Sequence, residues 1–389
     1  MDFELWYLIL VPLLFAAGWF ARSFDIKEKQ TIADEKDTLY KGVDLLLSNK
    51  QDQAIDAFIN LVKLDPDTVE MHFSLAGLFR RRGEFDRAIK IHNVLVNRED
   101  LPKKIRSRAL YELGEDYLKA GLWDRAEESF LKLSDTSESY KTIARKELLH
   151  IYETEKEWQK AIDEANIIQR QSGEDQSTRI AQLYCELTQQ NLYFKNFKGA
   201  AEALEKALKV DPNNKRALII KGKMLKAKGD IDGALATWKQ VGQISPAYGT
   251  LVVDQIASLL LEAGRKEEAV QYLEDLFKDG STTDEVDTAG ILLGKAGNSK
   301  EAIALIQKHL KTQPTLVAFY RLIDLRLANE PENESLKQLH GLLKNMLSKA
   351  VRYKCTKCGF ATRKFLWRCP GCHQWETFPP VRQENLSGR

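Results

Sequence analysis

The chain has 389 residues, of which 43% are hydrophobic and 29% are charged. It therefore has enough apolar material for a core, and room for several domains or one long repeat array. The charges almost cancel, with a formal net charge of +2, which argues against a chain-wide nucleic-acid binder. A composition rich in Ala, Leu, Lys and Glu favours helix over sheet.

The N-terminal residues 3–21 are almost wholly apolar, and Glu4 carries the only charge among them. At about 1.5 Å per helical residue, this run is just long enough to cross a hydrocarbon core of about 30 Å. Asp2 and Glu4 lie at its start, and Arg22, Lys27 and Lys29 follow it, whereas a secretory signal peptide has its positive charge in front. We therefore predict a transmembrane anchor at residues 1–21 with a periplasmic N-terminus, followed by a cytoplasmic juxtamembrane linker at residues 22–34.

An internal repeat of about 34 residues fills the middle of the chain. Eight similar segments each place one alanine in the same column, and the alanines are Ala54, Ala88, Ala126, Ala161, Ala200, Ala234, Ala269 and Ala302. A mostly large residue stands four positions later, with Ala165 as the exception, and a small residue often stands twelve positions earlier. A glycine stands five positions before the alanine in five repeats, which are those of Gly83, Gly121, Gly229, Gly264 and Gly297.

These columns predict one pair of antiparallel helices per repeat, with a left-handed turn at the glycine. The small residues would let the two helices approach closely, and the large ones would fill the groove against the next repeat. The pattern resembles the tetratricopeptide repeat over residues 35–315, which implies an all-α superhelical solenoid of about eight repeats. A further pair of helices within residues 316–350, predicted at Leu316–Asn329 and Glu332–Ala350, lacks the alanine. We interpret it as a capping pair or a ninth, degenerate repeat.

A tetratricopeptide solenoid usually binds a peptide or a protein on the concave surface that its first helices line. In the repeat frame, Phe73, Arg80, Tyr111 and Lys223 fall where such domains usually contact ligands. The alternative for each of them is an ordinary surface or packing role. We predict them as candidate partner-binding residues.

Four of the five cysteines lie close together near the C-terminus, in a C-x2-C-G pair and a C-P-G-C pair ten residues apart. We predict that Cys355, Cys358, Cys369 and Cys372 form one tetrathiolate metal site, because each pair can place two sulfurs on one tight turn. We expect Gly359 and Gly371 to give these turns their conformational freedom. The fifth cysteine, Cys185, is expected to be a buried thiol.

The segment 351–380 resembles rubredoxin-like knuckles and zinc ribbons, and residues 381–389 form a tail. Such a site takes either iron or zinc, and zinc would make it structural, whereas iron could carry an electron. Disulfides are the alternative, which a reducing cytoplasm disfavours. Because only a few residues join the knuckle to the last helices, we expect it to dock on the repeats.

The surroundings of the knuckle are basic, with eight Lys or Arg against two acidic residues from Arg352 to Arg389. A basic ribbon with aromatic side chains could bind nucleic acid, but a membrane tether makes that awkward, and we expect no nucleic-acid partner. The chain has no phosphate-binding glycine loop, nucleophile elbow or HExxH motif. We therefore predict no catalytic residues.

This order of anchor, repeats and knuckle resembles the lipopolysaccharide assembly protein B family of Gram-negative bacteria. The likeness includes the stretch LLSNKQDQAIDAF near the start and the motifs CTKCGF and CPGC near the end. The resemblance implies a non-enzymatic regulator of lipopolysaccharide synthesis at the inner membrane. It implies an adaptor that helps the FtsH membrane protease to degrade the LpxC deacetylase, and contacts with other lipopolysaccharide synthesis or transport proteins are also expected.

Two alternatives remain open at this point. The chain could be a membrane-tethered assembly scaffold, or a redox-sensing iron protein that acts through its four cysteines. An adaptor needs the repeats and the anchor but no catalytic turnover. A redox protein would need iron in the knuckle and a second protein or cofactor with which to exchange electrons.

Overall fold

The computed structural model describes residues 69–277, 282–349 and 352–380, together with the isolated positions 44, 45 and 53. The predicted anchor at residues 1–21, the linker at 22–34 and the tail at 381–389 lie outside the described residues, as does Ala54 of the first repeat. Within the described ranges, the chain forms seventeen helices and one two-stranded antiparallel sheet.

The helices follow one another with short connections. Those before residue 174 are α1 Val69–Arg81, α2 Phe85–Val96, α3 Lys103–Lys119, α4 Trp123–Thr136, α5 Lys141–Glu155 and α6 Trp158–Ser172. The later ones are α7 Ser177–Tyr193, α8 Phe197–Val210, α9 Lys215–Ala227, α10 Ile231–Ile244, α11 Pro246–Gly249, α12 Val253–Glu262, α13 Lys266–Asp275, α14 Thr283–Lys295, α15 Ser299–Thr312, α16 Leu316–Asn329 and α17 Glu334–Lys349. The strands are β1 Tyr353–Lys354 and β2 Ala361–Thr362.

The helices form the consecutive pairs that the repeat predicts, with the short α11 inserted after α10. The seven signature alanines from Ala88 to Ala302 all lie on the second helix of a pair, and every one of them is fully buried. The chain divides into two compact units, one ending at Gly173 and the other beginning at Glu174. The predicted tetratricopeptide repeat is therefore confirmed as the architecture, and each unit has its own buried apolar clusters.

The turn between the two helices of each pair uses a left-handed residue at the predicted column. All five predicted glycines have a positive φ, between 73° at Gly264 and 86° at Gly297. Two repeats have a lysine in the same column, and Lys156 and Lys195 take φ values of 62° and 58°. The left-handed turn is thus a property of the repeat, and glycine is the residue that adopts it with least strain.

Close approach of the two helices depends on a small residue opposite a large one. A Cβ added to Gly222 would lie 2.2 Å from Nε1 of Trp238, the large residue of its own repeat, and one on Gly114 would lie 2.6 Å from Phe130. The large residue therefore fills the space opposite the small residue of its own pair. Trp238 also shares a buried cluster with Ile256 and Leu260 of the following pair, so the expected packing against the next repeat occurs as well.

The exception at Ala165 has a counterpart in the same pair. The position opposite it holds Leu149, where other repeats have a small residue, and both side chains are buried. The pair therefore keeps its total side-chain volume with the large and small residues exchanged, which is the kind of substitution that packed cores tolerate best.

The predicted capping pair corresponds to α16 and α17, of which α16 has the predicted bounds. The side chain of Thr315 accepts a hydrogen bond from the backbone N–H of Ala318 and so caps the start of α16. Among the helices in the described ranges, none is both long enough and apolar enough to cross a membrane.

Substitution of Gly222 by alanine tests the packing within a pair. We expect Gly222→Ala to lower the free energy of unfolding by about 1–3 kcal/mol, because Trp238 has to move away from the new methyl group. Gly77→Ala is the matched control, since Gly77 also lies inside a first helix and an added Cβ there meets nothing within 4 Å. That control should stabilise by about 0.5–1 kcal/mol. Chemical denaturation followed by circular dichroism measures both, and equal effects would contradict the packing account.

Candidate metal centre and partner-binding residues

Two short turns of equal geometry hold the four C-terminal cysteines. In the first, the N–H of Cys355 donates to the carbonyl of Phe360 at 2.8 Å, and in the second the N–H of Cys369 donates to that of Gln374 at 2.9 Å. The fourth residue after each of these cysteines donates back to the cysteine carbonyl. Strands β1 and β2 flank the first turn, with Tyr353 opposite Thr362. The two C-x2-C pairs thus fold as two copies of one knuckle.

The two knuckles bring all four sulfur atoms together. The Sγ atoms of Cys355, Cys358, Cys369 and Cys372 lie within 4.8 Å of one another. The closest pairs join the two knuckles, with Cys355 3.7 Å from Cys372 and Cys358 3.6 Å from Cys369. Backbone N–H groups of Lys357 and Gly371 each point to a cysteine sulfur at 3.4 Å. This arrangement is suited to binding a metal ion.

The electrostatics of the cluster favour a bound cation. Burial would raise the pKa of the Cys355 thiol, but hydrogen bonds from Thr377 and from two backbone N–H groups outweigh it and lower the pKa to about 6. The backbone N–H of Gln374 lowers the pKa of Cys372, but burial and the three neighbouring sulfurs raise it to about 12. Cys372 is therefore a thiol at neutral pH unless a positive charge joins the sulfurs, and a divalent soft metal would supply that charge.

Only one of the two predicted glycines supplies a left-handed residue in the knuckles. Gly359 has a φ of 78°, but the equivalent residue of the second knuckle is His373, with a φ of 57°. Gly371 has no positive φ, and a Cβ added there would be in ordinary van der Waals contact, 3.4 Å from the sulfur of Cys358 and the side chain of Phe360. The expected need for conformational freedom is therefore met at Gly359 and not at Gly371.

The knuckle is docked on the repeats, as the short linker predicts. The carboxylate of Glu376 accepts hydrogen bonds from the side chains of Gln182 on α7, at 2.7 Å, and Lys215 on α9, at 3.1 Å. Glu376 has a φ of 53°, which is uncommon for this residue type. The hydroxyl of Thr250 also donates to the carbonyl of Pro380 at 3.1 Å.

An arginine and three aromatic rings complete this contact. The guanidinium of Arg216 lies 5.7 Å from the ring of Trp367 and 5.9 Å from that of Trp375, within reach of cation–π attraction. Arg216 is itself buried and donates to the side-chain carbonyl of Gln182. The ring of Tyr248 stacks on Trp367 at 5.6 Å. The apolar rings and the hydrogen-bonded charges together join the knuckle to α7, α9 and α11.

The sequence predicts docking of the knuckle on the repeats, but it does not identify these contacts, because they join residues 161 and 194 positions apart. One signal was available in Arg216, a charged residue directly before an apolar run in α9. A charged residue at a buried helix position requires a partner elsewhere in the fold.

The four candidate partner-binding residues have very different surroundings. Lys223 is exposed on α9. Tyr111 is half-buried, with ring centroids 6.0 Å from Phe130 and 5.7 Å from Tyr140. Burial and nearby glutamates raise the pKa of Tyr111 to about 12, so its hydroxyl stays protonated at neutral pH. Of the four, Lys223 is the most accessible to a partner.

The other two candidates are held by internal contacts. Phe73 is buried, and the guanidinium of Arg108 lies 4.0 Å above its ring. Arg80 pairs with Asp116 at 2.5 Å and with Glu112 at 2.7 Å, and Asp116 is fully buried. Replacing Arg80 would leave a buried carboxylate with one partner fewer, which is strongly destabilising. Arg80 is therefore a poor probe of partner binding, and a role for any of the four stays a prediction.

Cys185 lies apart from the metal site, as expected of a buried thiol. It packs among Leu204, Ala207, Ala217 and Ile220 on neighbouring helices. Burial raises the pKa of the thiol to about 12, so it is protonated and unreactive at neutral pH.

The fold and the cysteine site define a tetratricopeptide-repeat protein with a C-terminal rubredoxin-type knuckle. Residues 353–380 match the family described as "Rubredoxin metal binding domain". Residues 41–100 and 192–246 match the family described as "Tetratricopeptide repeat". A solved tetratricopeptide repeat protein from Parabacteroides merdae is 16% identical, with a TM-score of 0.32, and the match covers 72% of this chain and 100% of that one.

Relatives match over almost the whole length. The protein named lipopolysaccharide assembly protein B from Escherichia coli K12 is 35% identical over 96% of this chain and 97% of its own. A protein of the same name from Haemophilus influenzae is 29% identical, over 97% and 98%. The chain belongs to the lipopolysaccharide assembly protein B family.

Proposed function

We propose that the chain is a non-enzymatic adaptor that regulates lipopolysaccharide biosynthesis at the bacterial inner membrane. It holds the LpxC deacetylase beside the FtsH membrane protease through protein contacts on its repeats, and so promotes proteolysis of the deacetylase. The observation that carries this proposal is the 35% identity over 96% of the chain to a protein named for lipopolysaccharide assembly. The repeat architecture supports it, because paired helices present long surfaces for protein partners.

The adaptor proposal predicts that the partners co-purify with the full chain from detergent-solubilised membranes. We expect Lys223→Glu to reduce recovery of the deacetylase or the protease severalfold, with a change in stability within about 0.5 kcal/mol because Lys223 is exposed. Lys206→Glu is the matched control, since Lys206 is an exposed lysine on the second helix of the preceding pair. Mass spectrometry of the purified material measures the recovery.

Two outcomes of that experiment count against the account. If the unaltered chain recovers neither protein, the adaptor proposal is contradicted. If Lys223→Glu and Lys206→Glu recover the same amounts as the unaltered chain, Lys223 is not part of the contact surface.

We also propose that Cys355, Cys358, Cys369 and Cys372 hold one metal ion, zinc or iron. The convergence of four sulfurs within 4.8 Å supports it. Zinc would act as a structural centre, whereas iron could also exchange an electron with a partner. Folding of the knuckle around the metal would then stabilise the neighbouring repeats, because Glu376, Trp367 and Trp375 contact the repeats only when the knuckle is folded.

The proposed topology has the N-terminus in the periplasm and the repeats and knuckle in the cytoplasm. The charges on either side of residues 3–21 support it. An alkaline phosphatase fused after Arg389 should therefore be inactive, whereas a fluorescent protein that folds in the cytoplasm should be bright there. An active phosphatase at that position would overturn the topology and the argument that the cysteines are kept reduced.

A further inference from the structure

Three aromatic side chains are exposed together at the turn between α7 and α8. Tyr193 is 81% exposed, Phe194 is 70% exposed and Phe197 is 66% exposed. The rings of Tyr193 and Phe194 are in contact, with centroids 5.2 Å apart. We call these three residues the aromatic tip. Exposure of a group of large apolar side chains is costly in water and indicates an interaction site.

The equivalent turns of the other described repeats provide an internal comparison. Where the aromatic tip has Tyr193 and Phe194, the next repeat has Ala227 and Lys228, and the preceding ones have small or charged residues and a threonine. An aromatic residue also begins α2, α4 and α6, but those residues are half-buried or buried, unlike Phe197. The repeat architecture therefore does not require an exposed aromatic tip, and this turn departs from the pattern.

The turn holds the rings outward in a fixed conformation. Lys195 is left-handed, and its N–H donates to the carbonyl of Leu192 at 3.1 Å. The side chain of Asn196 accepts a hydrogen bond from the N–H of Gly199 and donates one to the side chain of Asn191. These bonds fix the end of α7 and the start of α8 on either side of the rings. The exposure of the aromatic tip is thus built into the turn.

The stretch of sequence that carries the aromatic tip has charges of one sign only. Lys195 and Lys198 are exposed beside it, and no acidic residue occurs in the sequence between Glu186 and Glu202. Aromatic rings flanked by lysines suit the boundary of an anionic bilayer, where rings lie at the headgroup level and cations meet anionic lipids. Three rings would bury about 450–750 Å² in total, less than the roughly 800 Å² per partner of a standard protein interface.

We propose that the aromatic tip inserts into the headgroup region of an anionic membrane, as a second membrane contact separate from the N-terminal anchor. The proposal rests on the proposed membrane location of the chain. The N-terminal anchor already keeps the aromatic tip at a high effective concentration beside the bilayer, so even a weak second contact is sufficient. This second contact would hold the unit that begins at Glu174 against the membrane surface.

The test is photo-crosslinking of the full chain in lipid nanodiscs. Phe194→benzoylphenylalanine places a photoreactive ring in the aromatic tip, and Lys228→benzoylphenylalanine places it at the aligned position of the next repeat. In discs that contain phosphatidylglycerol, we expect lipid adducts from position 194 at about ten times the yield from position 228. Combining the first variant with Lys195→Gln and Lys198→Gln should lower its yield by up to about 25-fold, since each lysine near such a surface contributes about fivefold.

Equal yields from positions 194 and 228 would overturn the proposal, as would a yield in pure phosphatidylcholine equal to that in phosphatidylglycerol. Adducts to a protein in cells, in place of lipid, would show that the aromatic tip is a protein-docking site and would also overturn it. None of these outcomes measures degradation of the deacetylase, so failure of this proposal leaves the adaptor proposal standing.

Discussion

Cys355→Ser is expected to abolish metal binding and to release the knuckle from the repeats. The purified unaltered chain should contain one zinc or iron ion, and the variant close to none, because one of four converging thiolates is gone. Metal binding and folding are one process in modules of this size, and structural zinc contributes about 10 kcal/mol or more in isolated zinc fingers. Elemental analysis of the purified full chain measures the metal content.

The structure predicts where the damage spreads. Loss of knuckle order removes Glu376, Trp367 and Trp375 from their contacts, so the buried Gln182 and Arg216 lose partners. Amide hydrogen exchange should therefore accelerate in α7 and α9, far from the substitution in the sequence.

Two controls separate metal binding from docking. Cys185→Ala removes a thiol outside the cluster and should leave the metal content unchanged. Glu376→Ala should keep the metal but accelerate exchange in α7 and α9, because it removes the acceptor of two hydrogen bonds. A full complement of metal in Cys355→Ser would contradict the assignment of the metal site. Unchanged amide exchange in both Cys355→Ser and Glu376→Ala would contradict the docking of the knuckle on α7 and α9.

The repeat could be predicted from the sequence because its signals are local. The buried alanines, the left-handed column and the small residue at Gly222 each reflect contacts within one pair of helices, at separations of a few to about twenty residues. The four cysteines could be predicted for the same reason, since each pair forms one turn. Lys156 and Lys195 take the place of glycine because the surrounding helices over-determine the turn.

Two features could not be predicted from local patterns: the surface of the repeats on which the knuckle docks, and whether a given candidate side chain is exposed or held by internal contacts. Glu376 meets Gln182 across 194 residues, and no local pattern encodes such a contact. The repeat frame places Phe73 and Arg80 on first helices, but neighbouring helices decide whether a side chain faces a partner or the core. Arg108 covers Phe73, and the buried Asp116 holds Arg80, so both depend on residues of the next pair.

Deletion of residues 1–21 is expected to stop the chain from promoting loss of the deacetylase without abolishing binding. An adaptor acts by raising the effective concentration of a client beside the protease, and this can be worth a factor of about 10²–10⁴ without any new contact. Every residue of the described apolar clusters lies beyond residue 21, so the shortened chain should still fold and still bind the deacetylase. Lipopolysaccharide synthesis should rise as the deacetylase accumulates.

The half-life of the deacetylase in cells that carry only the shortened chain tests the tethered-adaptor account most directly. Protein synthesis is stopped, and the deacetylase is followed by immunoblotting beside cells with the full chain and cells with none. The account predicts a long half-life that matches cells without the chain, while the shortened chain still co-purifies with the deacetylase. A half-life as short as that with the full chain would contradict the account, because the repeats would then act on the client or the protease without a tether.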